Sequence, residues 1–283
     1  MPENALREVR QLVPALPTRD GAGVSIIRAI GQPGLTMVDP FLLLDEIRSE
    51  TADEYIAGFP PHPHRGFDTV TYMVDGRMRH RDSTGNEGVI SSGGVQWMRA
   101  ARGIIHSETP EQESGPLWGY QLWVNLPAAH KMDVPDYRDI DAQEIPAVVP
   151  PGGGTVKVLA GRLFGARGPL VNELVDLQFY DVALAAGGEL TVPIEEPLRG
   201  AVYVTEGTVE IGSNSVAVAP RQTAVFGPGR TLRMAGLTAS ARLLVIAGRP
   251  LGEPVARHGP FVMNTRAEIE RAIEDFQAGR LTA

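Results

Sequence analysis

A chain of 283 residues, 43% hydrophobic and 21% charged, has the length for two ordinary domains and the composition of a folded globular protein. Its formal charge of −8, with no basic stripe, argues against direct nucleic-acid binding. Cysteine is absent, which excludes disulfides, thiolate nucleophiles and sulfur-ligated zinc and leaves nitrogen and oxygen as the only strong metal donors.

The N-terminal text MPENALREVRQLVPAL lacks a charged-then-apolar leader pattern. No apolar run approaches a membrane span, FLLLDEI at 41–47 being interrupted after four residues. A cytoplasmic protein that does not engage membranes is therefore expected. From about Gly23 to Val124 the text reads as short strands: GVSIIRAI, TVTYMV, GVISSGGVQWM and GYQLWVNL. Val74-Asp75-Gly76-Arg77 reads as a hairpin turn, because Asp-Gly suits positive φ. Residues 131–154 are expected to form a connection, ending in Pro150-Pro151-Gly152-Gly153-Gly154. Strands resume at Thr155, and YVTEGTVEIG in the second half echoes YMVDGRMRHR in the first.

One helix, about 265–279, closes the chain. Thr265 and Glu268 fit a capping box, and Ile269, Ala272, Ile273 and Phe276 share a helical face that would pack on a barrel. The expected fold is all-β, with two antiparallel β-barrels and a C-terminal α-helix. The expected division is 1–130 for a metal-binding barrel, 131–154 for a linker and 155–283 for a second barrel with the helix.

Three of the six histidines stand in two short texts, His62-Pro63-His64 and His106-Ser107-Glu108. Residues i and i+2 of a strand share a face, with Cα atoms about 6.5 Å apart. Two such strands facing each other would bring three imidazoles and one carboxylate to a single ion. That set leaves open coordination positions, the mark of a catalytic site. It accepts Fe, Mn, Co, Ni, Cu or Zn. His80 and Asp82 form another same-face pair, but the turn text around them predicts a solvated strand end. His130 and His258 lie in connecting text and read as structural.

The runs HPHRGFDTVTYMVDG, QWMRAARGIIHSE and GYQLWVNLP, with DGAGVSIIRAIG, DPFLLLDE and HGPFVMNTRAEIERAIEDFQAG, resemble the pirin family over most of the chain. The resemblance implies a bicupin, two barrels of the double-stranded β-helix type, with one divalent metal, usually Fe(II), in the N-terminal barrel. It carries the ligands to His62, His64, His106 and Glu108, and places Phe59 and Met78 at the pocket entrance. Asp68 stands where the wider cupin pattern has an acidic ligand and pirins generally have Glu, so the shorter Asp is expected to support the site from behind. Aligning the halves puts Pro193, Glu195, Met234 and Gly236 opposite the four ligands, so the second barrel is expected to lack the metal.

The implied activity is a quercetin 2,3-dioxygenase-like opening of a flavonol ring with O2 and release of CO. Glu108 would serve there as general base. The alternative implied by the resemblance is a non-catalytic, iron-dependent regulator acting on a transcription factor or metabolic enzyme through protein contacts. A cupin isomerase acting on a sugar or keto compound is a third option, and a monomer is expected from the resemblance.

Overall fold

A computed structural model describes residues 5–283. The chain forms two compact units, each assembled from three segments.

The unit that carries the candidate site comprises Pro17–Arg28, Leu42–Ala142 and Leu251–Ala283. One wall is a seven-stranded sheet in the order Asp136–Ile140, Val95–Arg99, Phe67–Asp75, Leu117–Asn125, Phe41–Ser49, Val24–Ile30, Leu16–Asp20. The other wall is four-stranded, in the order Phe59–His64, Ile104–Pro110, Arg77–Asp82, Glu87–Ser91. Phe67–Asp75 is rich in β-branched and aromatic residues and buried over its first seven, as suits a central strand. One apolar core between the walls gathers Val24, Ile26, Ile47, Tyr55, Met73, Met78, Ile90 and Leu117.

The other unit comprises the segment up to Leu16, Ala29–Phe41 and Gln143–Pro250. Its sheets repeat the plan. Seven strands run Val9–Pro14, Gln222–Phe226, Arg199–Glu206, Ser240–Gly248, Gln178–Ala185, Thr155–Ala160, Ala147–Val148. Four run Glu189–Pro193, Thr231–Gly236, Val209–Ile211, Val216–Val218. Leu190, Val192, Val209, Ile211, Leu232 and Met234 are all buried in one apolar cluster. The expected all-β fold of two barrels and one C-terminal helix is what the chain adopts.

Three sequence expectations need correction. The first concerns the boundaries. The closing helix, Arg266–Gln277, belongs with the histidine-bearing unit rather than with residues 155–250. Its buried Ile269 and Ala272 join Phe261, Met263 and Leu281, with Ile105 packed alongside. Conversely, Val9–Pro14 completes a sheet edge by pairing with Gln222–Phe226. Exchanged ends cannot be read from hydrophobic period, which says which face is apolar but not what covers it.

The second concerns residues 131–154. Asp136–Ile140 is a true strand, registered against Val95–Arg99 over five residues. The third is the Asp75-Gly76 turn. Phe67–Asp75 and Arg77–Asp82 lie in different sheets, so the turn is a corner between walls and not a hairpin. Of its two central residues only Gly76 has positive φ, at 91°, where a type I′ turn needs both. Among the described residues no helix is long and apolar enough to cross a membrane.

Candidate metal centre

Phe59–His64 reads Phe-Pro-Pro-His-Pro-His, a composition that a central strand could not carry. It is tolerated here because this strand is the edge of the four-stranded sheet, where missing N–H groups leave no ladder bond unmade. Its partner Ile104–Pro110 sets His106 directly opposite His62 and Ile104 opposite His64. The register then slips, so that Glu108 faces Phe59 instead of Pro60, a bulge that re-aims the side chains beyond it. Behind His64, Gly66 adopts φ 93°, and a Cβ there would stand 1.9 Å from the Val262 carbonyl oxygen. Only glycine fits that turn.

The result is a cluster of three imidazoles. Ring centroids lie 4.7 Å apart for His62 and His64, 4.4 Å for His62 and His106, and 4.8 Å for His64 and His106. One ring nitrogen from each falls within 4.8 Å of the others, close enough to converge on one ion. His62 Nδ1 lies 2.8 Å from the Pro60 carbonyl, which can only accept, so Nδ1 carries the proton and Nε2 keeps its lone pair. His106 turns Nδ1 toward the Nδ1 of His80 at 3.3 Å, and its Nε2 has no hydrogen-bond partner. Neither nitrogen of His64 has a well-formed hydrogen bond, the Pro260 backbone giving it only a weak polar contact. Burial pushes the His64 and His106 pKa well below the ordinary imidazole range, and the neighbouring histidines push the same way. Both rings are therefore neutral at pH 7, the form that ligates metal.

Buried imidazole nitrogens without partners are costly unless something absent fills them. A borderline divalent ion suits this donor set, so the residues fit a metal.

Glu108 is buried on the same strand but lies outside the three-histidine group. Its carboxylate is gripped by neutral donors. Gln121 Nε2 donates to Oε1 at 3.1 Å and to Oε2 at 2.9 Å, and the Thr71 hydroxyl donates to Oε1 at 3.3 Å. The amide orientation of Gln121 follows from Trp123, whose indole Nε1–H can only donate and does so to Gln121 Oε1 at 3.1 Å.

A cavity of about 530 Å³ opens over His62 and His64, within the usual range for a small-molecule site. Phe59, Trp123 and Gln121 line it, with Ile26, Leu43 and Ile47 below. Trp123 stacks on Phe67 at 4.3 Å and meets the His64 ring edge-on at 5.2 Å. At the rim Arg28 holds Asp45 by two hydrogen bonds, of 2.9 and 2.7 Å, and the guanidinium of Arg257 lies 5.0 Å over the Trp123 ring.

The other sequence-selected positions separate. Phe59 lines the cavity, whereas Met78 is 1% exposed in the apolar core and does not line it. Asp68 is fully buried and accepts from Trp97 Nε1 at 3.0 Å and Arg99 Nε at 3.2 Å. Burial pushes its pKa up, against the pull of Arg99. His130 pairs with Asp133. The reading of His80 and Asp82 as a solvated strand end is wrong, since neither side chain reaches solvent. His80 is 0% exposed and lies directly behind His106. Two residues escaped the sequence reading of the site, His80 in that role and Gln121. The signal for Gln121 was present in Gly-Tyr-Gln-Leu-Trp, where Gln121 and Trp123 share a strand face.

Two barrels of one strand plan, one bearing a three-histidine cluster under an aromatic cavity, define a bicupin with a candidate metal site in one barrel. Residues 23–124 match the Pirin family and residues 179–282 the Pirin C-terminal cupin domain. The chain belongs to the pirin family. It is 49% identical over 277 residues to a pirin-like protein of Caulobacter vibrioides, covering 97% of this chain and 99% of that one. The crystal structure of a quercetin 2,3-dioxygenase from Acinetobacter baumannii matches with a TM-score of 0.90 at 32% identity, covering 99% of both chains. A bacterial pirin from Escherichia coli, solved in complex with nickel(II), shares the fold with a TM-score of 0.67 at 19% identity, covering 85% of this chain and 98% of that one.

Proposed function

We propose that the chain is a metal-dependent dioxygenase that opens the heterocycle of a flavonol with O2 and releases CO. In this reading His62, His64, His106 and Glu108 hold one divalent metal, Fe(II) by preference. The observation that carries it is the set of converging imidazoles, with orphaned ring nitrogens, under an aromatic-walled cavity. Likeness to the solved quercetin 2,3-dioxygenase along the whole chain supports the reaction class.

A metal held there would supply Lewis acidity toward an enolic hydroxyl, as metals do for bound water. The protein supplies the rest. Phe59 and Trp123 would bracket a flat aromatic substrate and keep water off its ring. Glu108 Oε2 accepts from Gln121 and keeps one lone pair, which would face the metal before substrate enters and take the proton of a flavonol 3-hydroxyl once substrate is bound. Gln121 and Thr71 keep that carboxylate from rotating.

The test is aerobic incubation of the Fe(II)-loaded protein with quercetin, following flavonol absorbance and CO together. Equimolar loss and release are expected. Flavonol loss without CO is autoxidation and defeats the reading. His62→Ala or His106→Ala should abolish metal retention. Glu108→Gln should lower turnover about 10²–10⁴-fold, with a smaller effect on metal content. Full turnover in E108Q would remove the base.

A further inference from the structure

The side chain behind His106 has no part in the reading above, yet it is among the most completely buried polar groups of the unit. His80 is 0% exposed, sits on Arg77–Asp82, and has Glu108 as its cross-strand partner. Asp82, two residues on, has His106 as its partner, so all four side chains share one face of the ladder. His80 Nδ1 lies 3.3 Å from His106 Nδ1, and its Nε2 stands 3.5 Å from Asp82 Oδ2, within ion-pair reach though not in hydrogen-bond geometry. The Tyr137 ring covers His80 at 4.9 Å, held by its own hydroxyl to Asp139 Oδ2 at 2.7 Å and by Gln96 Nε2 at 2.8 Å.

Two facing Nδ1 atoms at this distance need one donor and one acceptor. A ligand using Nε2, the nitrogen of His106 without a partner, keeps its proton on Nδ1. His80 must then accept at Nδ1, which puts its own proton on Nε2, toward Asp82. Asp82 is in turn fixed by the Thr84 hydroxyl at 2.6 Å and by the Thr84 and Asn86 backbone amides at 2.8 and 3.1 Å.

We propose that His80 is the positioning residue of the metal centre: with Asp82 it forms a His106–His80–Asp82 chain that holds the His106 ring in place and commits its Nε2 to the ion. The inference rests on the metal reading of the three-histidine cluster. A chain of this kind orients a ligand and raises its basicity, and losing such a partner typically weakens metal binding about 10–100-fold. The group that accepts from the far nitrogen of His106 is thus an imidazole, where a carboxylate or a backbone carbonyl is the common choice.

Full-length native protein, His80→Phe and His80→Asn are compared for Co(II) affinity by competitive chelation, for the Co(II) visible spectrum and for apo-protein melting. Phenylalanine fills the volume without an acceptor, and asparagine restores an acceptor close to the Nδ1 position. The expected result is a 10–100-fold weaker Co(II) affinity in H80F, most of it recovered in H80N, with the native band envelope kept in H80N. Native affinity in H80F overturns the proposal, as does an equal loss in both variants that tracks apo melting, which would make His80 packing alone. An altered Co(II) envelope in H80N also overturns it, by making His80 a ligand. No stoichiometric Co(II) binding by the native chain would end the metal reading itself, and this inference with it.

Discussion

Gln121 is the residue through which the cavity wall and the buried carboxylate become one hydrogen-bonded piece. Its oxygen accepts from Trp123 and its amide spans both oxygens of Glu108. Gln121→Leu keeps the volume but strands an indole N–H and removes two donors from a buried carboxylate, at a cost of about 1–3 kcal/mol. The expected outcome is a lower urea midpoint and a fall in kcat on flavonol, with metal content close to native. Unchanged kcat alongside the lower midpoint would confine Gln121 to stability. The convergence of His62, His64 and His106 was legible in the sequence because i, i+2 pairs of ligating residues are rare in a chain with six histidines, whereas Glu108, selected by the same spacing, stands outside the three-histidine group. His80 was misread for a physical reason: its strand alternates Arg77, Arg79 and Arg81 with Met78, His80 and Asp82. Period two separates those faces without saying whether a polar one is lined by water or by other histidines.

At the scale of elements, the closing helix acts on the site from outside it. Thr265 and Glu268 make both halves of the expected capping box, which fixes where the helix begins. Near its end Asp275 Oδ2 accepts from Arg65 Nη1 at 2.9 Å, and Arg65 is the residue directly after His64. Arg65 also donates Nε to the Arg102 carbonyl and Nη2 to the Leu281 carbonyl, the latter at 3.3 Å. The hydrogen bond from Arg65, helped by its charge and those of Arg280 and Arg271, holds the Asp275 carboxyl below the usual carboxylate range. A folded pKa below the unfolded one means that the unfolded chain takes up the proton first as the pH falls. The stabilisation is therefore present above about pH 4 and is lost as the pH drops toward the lowered folded value. Asp275→Asn should cost roughly 1–2 kcal/mol at pH 7, since Arg65 is only 4% exposed and loses its ion-pair partner. Urea midpoints of the native chain and D275N should converge as the pH falls below about 4. A gap independent of pH would show that the ion pair is not its source.

At the scale of the molecule, two copies of one strand plan carry opposite interiors. The histidine-bearing strand pair of one unit corresponds by sheet order to Glu189–Pro193 and Thr231–Gly236 of the other. There Leu190 faces Met234, and Val192 faces Leu232. Leu251–Ala283 belongs to the unit of the histidines, so its removal should be felt in that unit. Hydrogen exchange on a chain ending at Pro250 is expected to show lost amide protection first in Phe59–His64 and Ile104–Pro110. Protection in Arg199–Glu206 and Ser240–Gly248 should persist longer. Loss beginning in those central strands instead would contradict this assignment of segments.

The sequence by itself determined the β class, the repeat, the capped helix and the four ligand candidates, because each is written in local period, turn chemistry or side-chain type. Only the tertiary structure decided that Asp75-Gly76 is a corner, that residues 136–140 form a strand whose Tyr137 covers His80, and that the closing helix serves the first barrel. Those outcomes depend on which surfaces meet across long stretches of chain, and local spacing carries no record of a partner that lies tens of residues away, as for Tyr137 and His80, or more than a hundred, as for the helix and Ile105.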